Sequence, residues 1–166
     1  MKLSYRTSRI ENILRTRPQA WAEIRGSEIY PDIVGWVRFY EHSLGVILIA
    51  ELQGLPVPQG ACAYPIFGFH IHEGNSCTGN AEEIFPNVGM HYNPRRCPHP
   101  YHAGDLPPIF GSGGYAFSAF LTDRFSIGEI IGRTLILHSA PDDFSTQPSG
   151  NSGKKIACGE IQGRIH

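Results

Sequence analysis

Three apolar runs, QAWAEIRG at 19–26, DIVGWVRFYE at 32–41 and LGVILIAELQG at 44–54, follow one another with only short polar or Gly-containing turns between them. Each is rich in β-branched and aromatic residues, the types that suit a pleated, half-buried surface. IFGFHIHE at 66–73 reads as a fourth strand, GYAFSAFLTDRFS at 114–126 and IGRTLILHSA at 131–140 as two more, and KKIACGEIQ at 154–162 as the last. Two stretches interrupt the series. Residues 74–114 are crowded with Gly, Pro, Asn, His and Cys and lack sustained helical periodicity, and PDDFSTQPSGNSG at 141–153 is a second, shorter loop. A loop as long as the first is usually functional or disordered, and its three of the chain's eight histidines favour function. No internal repeat, domain linker or low-complexity run is visible. The pattern predicts an antiparallel sandwich or flattened barrel.

At 166 residues the chain fits one domain that can bury a core without depending on disulfides. Its 19 Gly and 13 Pro suit a β domain with many turns and argue against a coiled coil. The formal net charge of −1 provides no broad basic field, so neither nucleic acid nor an anionic membrane is an expected partner. No run approaches the ~18 apolar residues that would predict a membrane span. The first residues, MKLSYRTSRIENILRTRPQA, carry positive charge but neither an apolar h-region nor a small-residue cleavage site. The expected location is therefore the cytoplasm. Ser8 and Glu11 resemble a capping box, and Ile10, Ile13 and Leu14 have helical spacing. The expected organisation is an N-terminal extension over 1–18, with a short surface helix, followed by one domain over 19–166.

Six histidines fall into three groups. His70 and His72 occupy i and i+2 of a strand, so their imidazoles project from one face and can converge on an ion. In HYNPRRCPHPYHAGD, His99, His102 and Asp105 recur every three residues in a loop that Pro98 and Pro100 keep from being an ordinary helix. Two imidazoles and a carboxylate, with His91 as a fourth ligand, make a closed tetrahedral zinc site plausible. His138 ends the apolar strand RTLILH. Four cysteines, Cys62, Cys77, Cys97 and Cys158, allow three full pairings, and spacing does not choose among them.

The order and spacing of these motifs resemble the copper/zinc superoxide dismutases over roughly residues 20–162. GFHIHE looks like the copper-ligand strand of that family, GMHYNP contains its bridging histidine, and HPYHAGDLP matches its zinc loop. ILHSAPDD carries the last copper ligand, and SGNSGKKIACG looks like the end of the active-site loop. The resemblance implies an all-β, eight-stranded antiparallel Greek-key barrel with long metal-binding and active-site loops. It implies one copper per chain on His70, His72, His91 and His138, and one zinc per chain on His91, His99, His102 and Asp105. Asp142 stands where the family has an aspartate linking a copper-ligand histidine to a zinc-ligand histidine, fixing ring orientation and tautomer. Cys77 and Cys158 match the family's intrachain disulfide. Cys62 is then expected to be a small buried residue or a free thiol, and Cys97 to be free.

The implied activity is dismutation of the superoxide anion to oxygen and hydrogen peroxide by a copper that cycles between two oxidation states. His91 would leave copper on its reduction, take up a proton and help to deliver it. Where the family places an arginine, three residues before the disulfide cysteine, this chain has Lys155. Lysine keeps the charge but loses the planar fork of donors, so activity is expected to be retained and reduced. Lys154, Arg95 and Arg96 are further cations whose direction the sequence does not fix. The short loops resemble bacterial members and leave copper more open. Dimer contacts vary in the family, so a homodimer is left open. A storage or delivery protein on the same fold is the alternative reading.

Overall fold

The computed structural model describes residues 10–63 and 65–164. The expected strands form in the expected places, and a short one, Ile109–Phe110, forms inside the 74–114 stretch expected to be loop. They are β1 (Ala20–Gly26), β2 (Val34–His42), β3 (Gly45–Gln53), β4 (Ile66–Phe67), β5 (Phe69–His72), β6 (Ile109–Phe110), β7 (Tyr115–Thr122), β8 (Thr134–His138), β9 (Lys155–Glu160) and β10 (Gln162–Gly163). The main antiparallel sheet has eight strands, in the order β5-β8-β9-β1-β2-β3-β7 with β10 beside β1, and β4 pairs with β6 in a second small sheet. The sheet curls so that alternate residues meet inside. Phe39, Leu48, Phe69, Ile71, Leu135 and Leu137 are among the fully buried side chains of one continuous core. The all-β barrel read from the sequence is the fold.

Two runs read as single strands are each divided. IFGFHIHE breaks at Gly68, where the chain changes partners. Gly68 exchanges hydrogen bonds with the end of β8 and the loop beyond it, donating to the Ala140 carbonyl at 2.8 Å and accepting from the His138 amide at 2.8 Å. Before it β4 pairs with β6, and after it β5 pairs with β8. KKIACGEIQ breaks at Ile161, whose backbone turns to Arg133 and Gly132. The run at 114–126 ends as a strand at Thr122. Helix α1 (Ile10–Leu14) forms where helical spacing placed it, while Ser8 of the expected capping box lies outside the described residues. Helix α2 (Ile127–Ile130) was not anticipated, although its capping box, Ser126 with Glu129, is written in the sequence. Among the described residues no helix is long and apolar enough to cross a membrane.

The edge of β5 away from β8 is not left bare. Residues 88–106 run along it, and Ile71 donates to the Gly104 carbonyl at 2.9 Å and accepts from the Tyr92 amide at 2.8 Å. Glu73 donates to the Met90 carbonyl at 2.9 Å and Leu106 donates to that of Phe69 at 3.3 Å. An exposed strand edge is a site of unwanted pairing, and here the long loop itself covers it. Gly104 is part of the fit, because a Cβ there would collide with the Ile71 carbonyl.

Cys77 and Cys158 form a disulfide across 81 residues of chain. With Phe85, Val88 and Ile136 it makes a small second core that fixes the first part of the loop to β8 and β9. Cys62 and Cys97 are both free, and Cys62 is exposed, so it is not the small buried residue that was one expectation for it. Closing a loop of this size restricts the unfolded chain by roughly 4–5 kcal/mol at most. The Cys77→Ser/Cys158→Ser double variant is expected to lose several kcal/mol of stability, read as a lower urea midpoint. A midpoint within error of wild type would show that the cross-link does not hold the loop.

Candidate metal centre

All four residues of β5 are buried, although a strand in a one-faced sheet would alternate. Phe69 and Ile71 point into the barrel core, while His70 and His72 point outward beneath the covering loop. The lacing that covers the edge also sets the registry of the loop's own ligands. Asp105 lies opposite His70 and His91 opposite His72, each as an isolated antiparallel bridge pair. His138 arrives on the neighbouring strand, β8, and His99 and His102 on the part of the loop that folds over them. His70, His72, His91 and His138 present ligand atoms within 4.8 Å of one another, and so do His91, His99, His102 and Asp105. All seven side chains are buried, and His91 belongs to both groups.

His70, His72, His99 and His138 are each oriented through one nitrogen, which leaves the other free. His70 Nε2 donates to Asp142 Oδ2 at 2.7 Å, and its Nδ1 has no partner. His72 Nδ1 donates to the Gly89 carbonyl at 2.9 Å, and His138 Nδ1 faces that of Gly153 at 3.5 Å. The remaining Nε2 atoms of His72 and His138 stand 3.4 Å apart, pointing into the same space. His91 Nε2 joins them, buried and unpartnered.

On the other side of its ring, His91 Nδ1 lies 2.7 Å from Asp105 Oδ1. Asp105 Oδ2 lies 3.1 Å from His99 Nδ1 and 3.3 Å from His102 Nδ1, both otherwise without partners. Buried polar atoms are normally satisfied, so four orphaned imidazole nitrogens in one place are the mark of donor sets that fit metal ions. Four imidazoles suit copper, and three imidazoles with a carboxylate suit zinc.

Asp142 ties the two sets together. One carboxylate oxygen accepts from His70 Nε2, and the other accepts from His99 Nε2 at 2.9 Å and from the Phe144 amide at 2.7 Å. Burial alone would raise its pKa, but these donors prevail and hold it at about 2. Gly150 makes room for the arrangement. Its φ is +71°, and a Cβ there would strike both Asp142 and His99.

Burial likewise favours the neutral form of His70, His72, His102 and His138, the form that binds metal. It pushes His72 well below the ordinary imidazole value, and it lowers His138 to about 3 with help from His70 and His91. His70 and His102 are also lowered by burial, against the pull of Asp142 and Asp105 respectively. Asp105 would be raised by burial but is lowered on balance by its hydrogen bond to His91.

The structure therefore brings together every ligand residue read from the sequence. It separates the cations. Lys154 and Lys155 line a cavity of about 490 Å³ above His72, His91 and His138. Lys155 Nζ donates to the Phe85 carbonyl at 2.7 Å. Arg95 instead lines a different cavity with Glu41, Asp123 and Glu129, so it does not face the metal groups, and Arg96 is exposed. Sequence reasoning missed Arg124. Its Nη1 lies 3.0 Å from the Pro100 carbonyl, 3.1 Å from that of His102 and 3.0 Å from that of Asp105, gathering the backbone of the zinc-type ligands around one guanidinium. No local motif marks it, because its partners lie 19 to 24 residues away.

Comparison with known proteins gives one consistent picture. The family model described as copper/zinc superoxide dismutase (SODC) matches residues 33–161. A superoxide dismutase [Cu-Zn] 2 of Aquifex aeolicus is 31% identical over 159 residues, 87% of this chain and 86% of the relative. The superoxide dismutase [Cu-Zn] of Photobacterium leiognathi is 30% identical over 143 residues, covering 78% and 79%. That of Actinobacillus pleuropneumoniae is 31% identical over 144 residues, covering 78% and 72%.

The depressed histidine and carboxylate pKa values have a common sign. The unfolded chain binds protons at pH values where the folded site refuses them. Metal-free protein, prepared with a chelator, is therefore expected to lose stability as pH falls below about 6.5 and to go on losing it toward about 3, where His138 protonates even when folded. Urea midpoints across that range measure it, and midpoints that rise on acidification would refute it.

Proposed function

This chain belongs to the copper/zinc superoxide dismutase family, and from that premise we infer that His70, His72, His91 and His138 hold copper while His91, His99, His102 and Asp105 hold zinc. The activity is conversion of superoxide to oxygen and hydrogen peroxide. The observation that supports the assignment best is the sharing of His91 between two buried donor sets, each with its ligand atoms inside 4.8 Å. When bound, copper supplies a one-electron redox couple, and zinc supplies fixed positive charge that keeps His91 oriented and tunes its basicity.

The protein's own residues do the rest. Asp142 and the carbonyls of Gly89 and Gly153 hold the tautomers in which His70 offers Nδ1 and His72 and His138 offer Nε2. His91 lines the cavity, its Nε2 is buried with no protein partner, and that nitrogen is the atom at which a proton is held and passed to reduced substrate. Lys155 and Lys154 give the cavity positive charge for a small anion. Lys155 spends one N–H on the Phe85 carbonyl, leaving two for substrate. The disulfide core holds Phe85 in place, so the cross-link positions the lysine as well as the loop. Storage or delivery, the rival reading, gives the lysine-lined cavity no purpose. The range 19–166 serves as the catalytic domain in this account, with 1–18 ahead of it.

Protein reconstituted with both metals is expected to carry one copper and one zinc per chain and to dismute superoxide. His138→Ala is expected to abolish activity with zinc retained, measured by elemental analysis and a superoxide assay on one preparation. Full metal loading without dismutation would defeat the enzymatic reading. Lys155→Glu is expected to lower kcat/KM by about tenfold or more, and Lys155→Arg to raise it, with both differences shrinking at high salt. Equal rates for all three proteins would remove Lys155 from the substrate path.

A further inference from the structure

Met90 lies between Val88 and His91, both buried, yet it is itself 51% exposed. Its backbone is held firmly: the Glu73 amide donates to its carbonyl at 2.9 Å, and its own amide donates to Glu73 Oε1 at 3.4 Å. The preceding residue, Gly89, supplies the carbonyl that orients His72, and the following residue is the shared ligand His91. A side chain so exposed contributes little to packing. It lines the same cavity as the Nε2-bearing rings of His72, His91 and His138.

The other walls of that cavity decide which form of copper can pass. Besides the histidines, the lining side chains able to donate to a metal are Glu82, Ser149 and Met90. The first two are hard oxygen donors, whereas a thioether is soft and selects cuprous over cupric ion. Charge acts in the same direction. Lys154 and Lys155 repel an incoming cation, and at a given distance they repel a divalent ion twice as strongly as a monovalent one. Behind the lip, two imidazole nitrogens 3.4 Å apart are ready to take over a small ion.

We propose that Met90 is a capture ligand for cuprous ion, the first protein atom to bind copper as it is loaded into the cavity and the one that hands it to His72 and His138. The proposal rests on the reading of the four-histidine group as the copper site. It assigns a role to a thioether that neither the resting site nor the dismutation needs, and it involves no change in oxidation state.

The test uses full-length protein with zinc bound and copper absent. Anaerobic uptake of Cu(I) from a bicinchoninate buffer is compared with uptake of Cu(II) from a glycine complex, for wild type and for Met90→Leu, which keeps size and apolarity. The expected result is Cu(I) uptake slowed about tenfold in the variant, with Cu(II) uptake and the final copper stoichiometry unchanged. In parallel, protein labelled at the methionine methyls has two signals, from Met1 and Met90. The first equivalent of Ag(I), a redox-inert stand-in for Cu(I), is expected to shift that of Met90. Equal Cu(I) rates in the two proteins, or silver binding that leaves the Met90 methyl unmoved, would overturn the proposal. Failure of the wild-type protein to take up copper in either oxidation state would overturn the copper assignment and this proposal with it.

Discussion

The site depends on backbone pairing more than on any single ligand. β5 is a short strand with one edge against β8 and the other against a loop that has too little periodicity to be a strand itself. Hydrogen bonds given by Ile71 and Glu73 to Gly104 and Met90, and accepted by Phe69 and Ile71 from Leu106 and Tyr92, put that loop in register. Because side chains alternate along an extended backbone, this register alone decides that His91 and Asp105 fall beside His72 and His70. A slip of one residue would turn both ligands away. The ligand positions are thus a consequence of main-chain geometry, and the barrel core of Phe69, Ile71, Leu135 and Leu137 anchors that geometry from below.

Around this frame the polar groups complete one another. Burial favours neutral imidazoles at His70 and His72, and a neutral imidazole with one nitrogen tied to a carbonyl or to Asp142 has a single lone pair to offer. Asp142 remains ionised only because three donors converge on it. Arg124, from the far side of the loop, supplies the positive charge toward which three ligand-segment carbonyls turn. The strong electrostatics are therefore local, in a chain whose net charge is only −1.

Much of this was legible in the sequence, and for identifiable reasons. Strands such as DIVGWVRFYE announce themselves through β-branched and aromatic residues, and His70 and His72 through the two-residue period of a strand. The remaining ligands were legible as a spaced pattern in a loop and through family resemblance, which also pointed to Cys77 with Cys158. What could not be read was long-range. The division of IFGFHIHE at Gly68 follows from a change of pairing partner, and Arg124 acts on residues reached only through the fold. Arg95 sits in the ligand loop yet faces another cavity, since adjacency in sequence says little about direction in a turn. Helix α2 is a different case, because its Ser126–Glu129 capping box is readable from the end of the strand-like run at 114–126 into the short stretch before the one at 131–140.

The shared ring of His91 and the two-sided carboxylate of Asp142 have a thermodynamic consequence. Each is a covalent or hydrogen-bonded link from one donor set to the other, so the free energy of filling one depends on whether the other is filled. Linkage makes that dependence reciprocal: whatever factor zinc contributes to copper affinity, copper returns to zinc. The two positions form one cooperative unit, and its half-filled forms are set by the two affinities together with one coupling constant, not by the two affinities alone.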